Sequence, residues 1–248
     1  MEMKGNTVLI TGGATGIGFA LAERLAKSGN EVIICGRRQE RLDEAVRKVP
    51  GLHARRCDIS KDSDRRELVG WIKENFKGMN VLINNAGIQR RIDLKAGAEA
   101  LPAEESEIAI NFEAQVYLTE HLMPVLLGAK DAAVVNVSSG LGIIPLARFP
   151  IYCATKAALH SFTMSLRKQM EGTGVKVFEI LPPTVHDTEL KGKPIPKNDH
   201  SMPAAEVADA AIAALSRGEQ EIAIGRAAGW VAASKEQREQ IFSTINQG

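Results

Sequence analysis

Short apolar runs rich in β-branched residues alternate with longer segments whose apolar positions recur every three or four residues. The run Thr7–Thr11 (TVLIT) lacks the in–out alternation of a half-exposed strand, which predicts a strand buried in a parallel sheet. After it, Phe19, Ala22, Leu25 and Ala26 keep helical spacing up to a stop at Gly29. The same pattern predicts strands over 31–36, 52–59, 80–87, 132–139, 175–181 and 220–225. Helices are predicted over 39–49, 62–76, 104–127, 151–171 and 203–215; in 62–76, Leu68, Val69, Ile72 and Phe76 share one face. Such repeated β–α alternation predicts an α/β fold, a doubly wound parallel sheet with helices on both faces.

No repeat, low-complexity tract or linker divides the chain, so residues 1–228 are expected to form one domain. Within it, 186–203 is polar, rich in Lys and Pro and aperiodic, and is expected to be a structureless lid over a binding site. Residues 229–248 read as one amphipathic C-terminal helix, an extension of the same domain that caps the fold or meets a partner subunit.

Composition narrows the function. The 248 residues are 44% hydrophobic and 25% charged, an ordinary globular balance. Against 31 basic residues stand 30 acidic ones, so nothing electrostatic favours nucleic acid or an anionic membrane. Cys35, Cys57 and Cys153 are odd in number and widely spaced, which reads as reduced thiols rather than a disulfide framework or a zinc site. The five histidines show no metal-ligand spacing, and no metal is expected. No run is long enough to cross a bilayer, and the first strand begins without a preceding apolar leader. The expectation is a soluble cytoplasmic protein.

Candidate chemistry collects where predicted strands end. The first strand runs into TGGATGIG, in which Gly12, Gly16 and Gly18, with Thr15 and Ile17 between them, lead into a helix. Such a turn lets backbone approach a pyrophosphate, and the helix start offers free N–H groups and a positive dipole end. The spacing G-x-x-x-G-x-G is not the familiar G-x-G-x-x-G, and alone it is equally a tight turn. The second strand ends in Gly36, where an NAD-binding site has an acid for the ribose hydroxyls. Arg37 and Arg38 follow; they suit a 2′-phosphate, or else are solvated charges at a helix start. Asp58 and Asn84-Asn85-Ala86-Gly87 close the third and fourth strands; Asp58 either caps a turn or borders a ligand, and Asn84 can tie two strands together.

Tyr152 and Lys156 stand at i and i+4 on one predicted helix. A phenol with a pKa of ~10 is a poor acid–base group at neutral pH, and a nearby ammonium lowers it by roughly 1–3 units. That spacing therefore points to proton transfer, against the plainer reading of a surface lysine over a buried tyrosine. Ser139, at the end of the fifth strand, can hydrogen-bond a substrate oxygen, and Asn111 can anchor a water that passes protons to Lys156.

In order and spacing, TGGATGIG, Asp58, NNAG, Asn111, NVSS and YCATK resemble the motifs of the short-chain dehydrogenase/reductase family, over about residues 5–225. NNAGIQR, SSGLG and YCATKAALHSFTMSLR are similar to a bacterial branch that includes oxidoreductases associated with D-alanine-transfer operons. The resemblance implies a single-domain Rossmann-like fold and hydride transfer between NAD(P) and a carbonyl or alcohol. It implies Tyr152 as general acid/base, Lys156 as its partner and ribose ligand, Ser139 on the substrate oxygen and Asn111 on the relay water. It assigns Gly12, Gly16 and Gly18 to the pyrophosphate, Asp58 and Ile59 to the adenine pocket, and Asn85, Ala86 and Gly87 to the wall beside the cofactor. A homodimer or homotetramer is implied too, and the second apolar faces of 104–127 and 151–171 ask for the same cover. Position 15, where NADP-using members often carry a basic residue, is Thr15, so the cofactor expected is NADP(H), moderately preferred over NAD.

One departure concerns the nicotinamide loop, for which the family pattern involves Pro182, Val185 and Thr188. Pro183 replaces the usual glycine, and Thr188 lies six residues after Pro182 instead of five. A cofactor-binding sensor or scaffold without catalysis is the competing reading. A nucleotide-sugar epimerase would need a larger substrate domain than this chain supplies.

Overall fold

The computed structural model describes residues 2–101, 105–190, 192 and 195–247. The elements are β1 (Thr7–Thr11), α1 (Gly16–Lys27), β2 (Glu31–Gly36), α2 (Gln39–Lys48), β3 (His53–Arg56), α3 (Asp62–Asn75) and β4 (Met79–Asn84). They continue with α4 (Ala114–Gly128), β5 (Ala133–Val137), α5 (Pro150–Gln169), β6 (Lys176–Leu181), β7 (Thr184–Val185) and β8 (Ser201–Met202). Last come α6 (Ala204–Arg217), β9 (Glu221–Ala223), α7 (Arg226–Ala232) and α8 (Lys235–Ile245).

Seven strands form one parallel sheet in the order β3-β2-β1-β4-β5-β6-β9. Side chains alternate across it, which explains why the strands read as unbroken apolar runs: both faces are covered. Val8, Ile10, Val32 and Ile34 pack under α1, α2 and α6, while Leu9, Ile33, Leu82 and Val134 pack under α3, α4 and α5. The chain winds outward from β1 to β3 and then returns to β4 on the other side. The connections leaving β1 and β4 therefore diverge and open a crevice at their carboxyl ends.

The structure departs from the pattern at several boundaries. β4 ends at Asn84, short of residue 87, because the N–H groups of Asn85 and Ala86 leave the ladder for the hydroxyl of Thr11, each at 3.0 Å. Residue 104, where the pattern begins a helix, lies outside the described residues. Glu105 has a left-handed backbone, φ 55°, and α4 is reached through a π-turn at Ala109–Glu113. The expected single C-terminal helix is two, because Ser234 starts α8 with a capping box closed by Gln237. The 186–203 lid is not structureless at its base. β7 and β8 pair in parallel there, and Asp187 accepts the N–H of Ala204 at 2.8 Å, anchoring the start of α6. Among the described residues no helix is long and apolar enough to cross a membrane.

Candidate active site

A cleft of about 930 Å³ opens at the carboxyl edge of the sheet, between the β1 and β4 turns on one side and the lid on the other. All the sequence-predicted site residues line it except Gly16, Gly18 and Asn111, which stand directly behind the wall. Gly18 is needed for close packing: a Cβ there would meet the Gly12 carbonyl oxygen at 2.4 Å and the Asn85 amide at 2.5 Å. That approach brings the α1 N-terminus to the cleft. Thr15 gives α1 no side-chain cap and no acid occupies its first turn, so its first N–H groups and dipole are free to meet an anion. The residues present thus fit a dinucleotide pyrophosphate. The altered loop still reaches this place: Val185 and Thr188 line the cleft, and a Cβ at Gly16 would fall 2.6 Å from the Thr188 hydroxyl.

Beyond β2 the cleft is bordered by Arg37, Arg38, Asp58 and Ile59. The two guanidinium groups are exposed to solvent, as charges at a helix start would be, yet each is paired. Arg37 pairs with Glu105, which also holds Arg90 at 2.6 Å. Arg38 and Arg41 share Glu189 of the lid at 2.5 and 2.7 Å. Asp58 folds back on its own turn, accepting the N–H and hydroxyl of Ser60 at 3.1 and 2.7 Å. It is a cap that also lines the cleft.

At the other end, α5 starts at Pro150 and sets Tyr152 and Lys156 one turn apart, both buried. The Lys156 ammonium donates to the Val137 carbonyl oxygen at 2.8 Å and lies 5.8 Å from the Tyr152 ring centre. Ser139 hydrogen-bonds the Tyr152 phenol, and its own Oγ accepts the Leu141 N–H at 3.1 Å. The side chain of Asn111 is locked from both directions: Nδ2 donates to the Ile88 carbonyl at 2.9 Å, and Oδ1 accepts the Ile88 N–H at 2.8 Å. Gly87 separates Asn111 from Lys156; a Cβ on it would stand 3.3 Å from Asn111 Oδ1 and 3.8 Å from Lys156 Nζ.

The electrostatics correct one expectation. Burial pushes the Tyr152 phenol well above its ordinary value, and the Ser139 hydrogen bond only partly offsets this, while Cys153 and Glu107 push the same way as burial. Lys156 does not bring the phenol into the neutral range here. Its ammonium is aimed at a carbonyl, and desolvation of a phenolate in this pocket is the larger effect. Burial also draws Lys156 down to about 8, opposed by the charge of Glu179.

Several contributors escaped the sequence reading. Thr11 ties the β1 and β4 turns together. Asn84 bridges strands as its place in the sequence allowed, donating to Asn136 at 2.9 Å, but Asn136, which passes on to Thr163 of α5 at the same distance, was not anticipated. Trp230 of α7 packs over Gly140 next to Ser139, and Thr244 and Ile245 of α8 line the cleft. Asn246 pins the neighbouring loop, accepting the Ala147 N–H at 2.6 Å and donating to the Pro145 carbonyl at 3.2 Å. The C-terminal extension is therefore a cap on this end of the cleft. Arg90 lines the cleft, whereas its neighbour Arg91 is exposed and does not. His160 is paired to a wholly buried Glu179. The three cysteines are free and buried, and Cys153 packs with Phe149 and Tyr152.

Known proteins share this arrangement. A family model described as short chain dehydrogenase matches residues 6–199. The uncharacterized oxidoreductase DltE of Bacillus subtilis is 44% identical over 249 aligned residues, spanning 99% of this chain and 98% of its own. A short chain dehydrogenase from Burkholderia cenocepacia in complex with NADP superposes with a TM-score of 0.85 at 25% identity, each chain covered completely. A short chain dehydrogenase/reductase from Burkholderia phymatum in complex with NAD gives 0.82 at 21% identity, covering 100% of this chain and 97% of the other, and shares the fold. With the glycine turn, the parallel sheet and these relatives in agreement, the chain belongs to the short-chain dehydrogenase/reductase family and is an NAD(P)-dependent oxidoreductase.

Proposed function

We propose that the protein is an NADP-dependent oxidoreductase acting on a small carbonyl or alcohol, with Tyr152 as general acid/base. The observation that carries this reading is the convergence of Tyr152, Ser139 and Lys156, all buried, at the end of the cleft opposite Arg37. Bound along the cleft, the nicotinamide cofactor supplies or accepts a hydride. In reduction Tyr152 gives its phenolic proton to the carbonyl oxygen, and Ser139 holds that oxygen by a hydrogen bond. A phenol raised by burial is fully protonated at neutral pH, which is the form reduction needs. The Lys156 ammonium favours the phenolate left behind and grips the cofactor ribose. Asn111 positions the backbone around Ile88 and Gly87, where a water relays the next proton.

Family neighbours carry either NADP or NAD, so the choice rests on this chain's own residues. Gly36 offers no carboxylate to ribose hydroxyls and none to repel a phosphate. Arg37 is the stronger candidate for the 2′-phosphate, because Arg38 shares Glu189 with Arg41. A 2′-phosphate competes with Glu105 and Glu189 for these cations, so preference for NADPH is moderate. Tropism toward a silent sensor or scaffold has no observation in its favour. Exposed Ile108, Tyr117 and Leu127 around α4 and Met164 on α5 are the faces on which a second copy would pack, giving a homodimer or homotetramer. We read the chain as one cytoplasmic domain with its lid and C-terminal cap. A carbonyl panel followed by NADPH absorbance tests the proposal. Turnover of at least one carbonyl is expected, and tight NADPH binding with inertness across the panel would favour the sensor.

A further inference from the structure

Tyr152, Lys156 and His160 recur every four residues along α5 and face β5 and β6 together. The third member has no part in the chemistry above. His160 Nδ1 lies 2.9 Å from Oε2 and 3.1 Å from Oε1 of Glu179 on β6, a carboxylate with 0% exposure. Ser138 Oγ donates to the same carboxylate at 2.5 Å. Ser138 directly follows Val137, whose carbonyl oxygen receives the Lys156 ammonium at 2.8 Å. The carboxylate thus sits one helical turn and one strand residue from the lysine, with donors converging on it. Phe178 and Ile180, its neighbours on β6, are buried and apolar. A buried carboxylate at such a place is costly unless its charge is used or fully paired.

We propose that Glu179 is a positioning residue for the reaction: its buried negative charge, oriented by His160 and Ser138, keeps Lys156 an ammonium at the active site. The inference rests on the role given to Lys156 above. The surroundings leave Glu179 as the group able to do this. Lys156 meets Tyr152 on its own helix, Gly87 after β4 with Asn111 on its far side, the Val137 carbonyl on β5 and the charge of Glu179 on β6. Glu107 acts on Tyr152 and Cys153. Glu179 itself meets His160 from α5, Ser138 from β5 and, across the β6–β9 pairing, the exposed Glu221. Ligand atoms of His160, Glu179 and Glu221 all lie within 4.8 Å of one another, so the exposed Glu221 also faces this cluster.

The test is to titrate Lys156 directly in the folded protein, by NMR of lysines labelled at Cε, with the resonance assigned by its loss in Lys156→Met. The wild-type midpoint is expected near about 8. Glu179→Gln should lower it by about one pH unit, a tenfold fall in the ammonium-to-amine ratio, because the opposing charge is gone. Glu179→Asp, which keeps the charge, should recover most of the shift. If Glu179→Gln does not fold, His160→Gln, which removes only a donor, should move the midpoint the same way by less. An unchanged Lys156 midpoint in a folded Glu179→Gln protein, or in His160→Gln where only that variant folds, overturns the proposal. The alkaline limb of kcat/KM in a carbonyl assay should shift with the midpoint. If the NMR midpoint moves and the kinetic limb does not, the role assigned to Lys156 fails and the electrostatic role of Glu179 stands.

Discussion

Around Tyr152, backbone atoms or buried donors hold the polar groups: Lys156 to Val137, Ser139 to Leu141, Asn111 to Ile88. Around Arg37 the cleft is held by long, exposed side chains reaching across the fold to acids far away in sequence. The Arg37 and Glu105 side chains are 39% and 44% exposed, a degree at which an ion pair is worth only about 0–1 kcal/mol and yields to salt. One end is therefore preorganised, with the cost of ordering met when the protein folds. The other is a set of weak, exchangeable pairs, suited to trading a carboxylate for a phosphate. In this account chemistry is fixed at the buried end and cofactor choice is adjusted at the exposed one.

The sharpest way to break this division is Lys156→Met. Turnover should fall by roughly 10²–10⁴, the usual reach of a group supporting acid–base catalysis, and NADPH binding should weaken. Stability should move oppositely. The folded pKa of Lys156 is about 8 against an ordinary 10.5, so the unfolded chain binds the proton more tightly, and stability rises with pH between those values. Below about 8 the buried charge costs the fold up to about 3 kcal/mol, from ~1.4 kcal/mol per pH unit. Thermal unfolding at pH 7 should show the variant more stable by several degrees, with the advantage gone above about pH 10.5. A less stable variant at neutral pH would show that packing of the lysine stem outweighs its desolvation.

At the exposed end, Gly36→Asp with Arg37→Ala should reverse the cofactor order, since a side chain at Gly36 meets nothing within 4 Å. Each charge-assisted hydrogen bond to the phosphate is worth roughly 1.5–3 kcal/mol, or about ten- to a hundredfold in affinity. Kinetics with both cofactors at fixed ionic strength read this out, and an unmutated enzyme using both equally contradicts the assignment. A smaller effect is expected from Glu105→Gln, which frees Arg37 and Arg90. NADPH affinity should rise about threefold at low salt and return to wild type near ~1 M salt, measured by fluorescence titration. Smallest of all, Asn246→Ala should raise the KM for substrate about two- to threefold with kcat nearly unchanged, since it only unpins residues 145–147 from α8.

The same contrast explains what the sequence made legible. The glycine turn and Tyr152 with Lys156 are local patterns, each carried by one loop or one helix. The order of strands follows from unbroken apolar runs such as Thr7–Thr11, which demand cover on both faces. Arg37 was visible as a charge, but its partner Glu105 is 68 residues away and meets it only after folding. Glu179 and His160 were not singled out, because they are 19 residues apart and only the β5–β6 register and the position of α5 join them. The division of the C-terminal helix turned on one capping box at Ser234, a local signal subordinate to the apolar pattern around it. The direction of the Tyr152 shift was unreadable because desolvation is a property of the packed site, whereas spacing reports only neighbours.

The division between the two ends is tested most directly by Tyr152→Phe, with NADPH affinity and single-turnover NADPH oxidation measured on the same preparation. Removing the phenolic hydroxyl takes away the transferable proton and leaves the ring, the Arg37 end and the glycine turn untouched. The dissociation constant for NADPH should stay within about twofold of wild type while the turnover rate falls by roughly 10²–10⁴. A variant that kept more than about a tenth of the wild-type rate would contradict the assignment of Tyr152 as the acid.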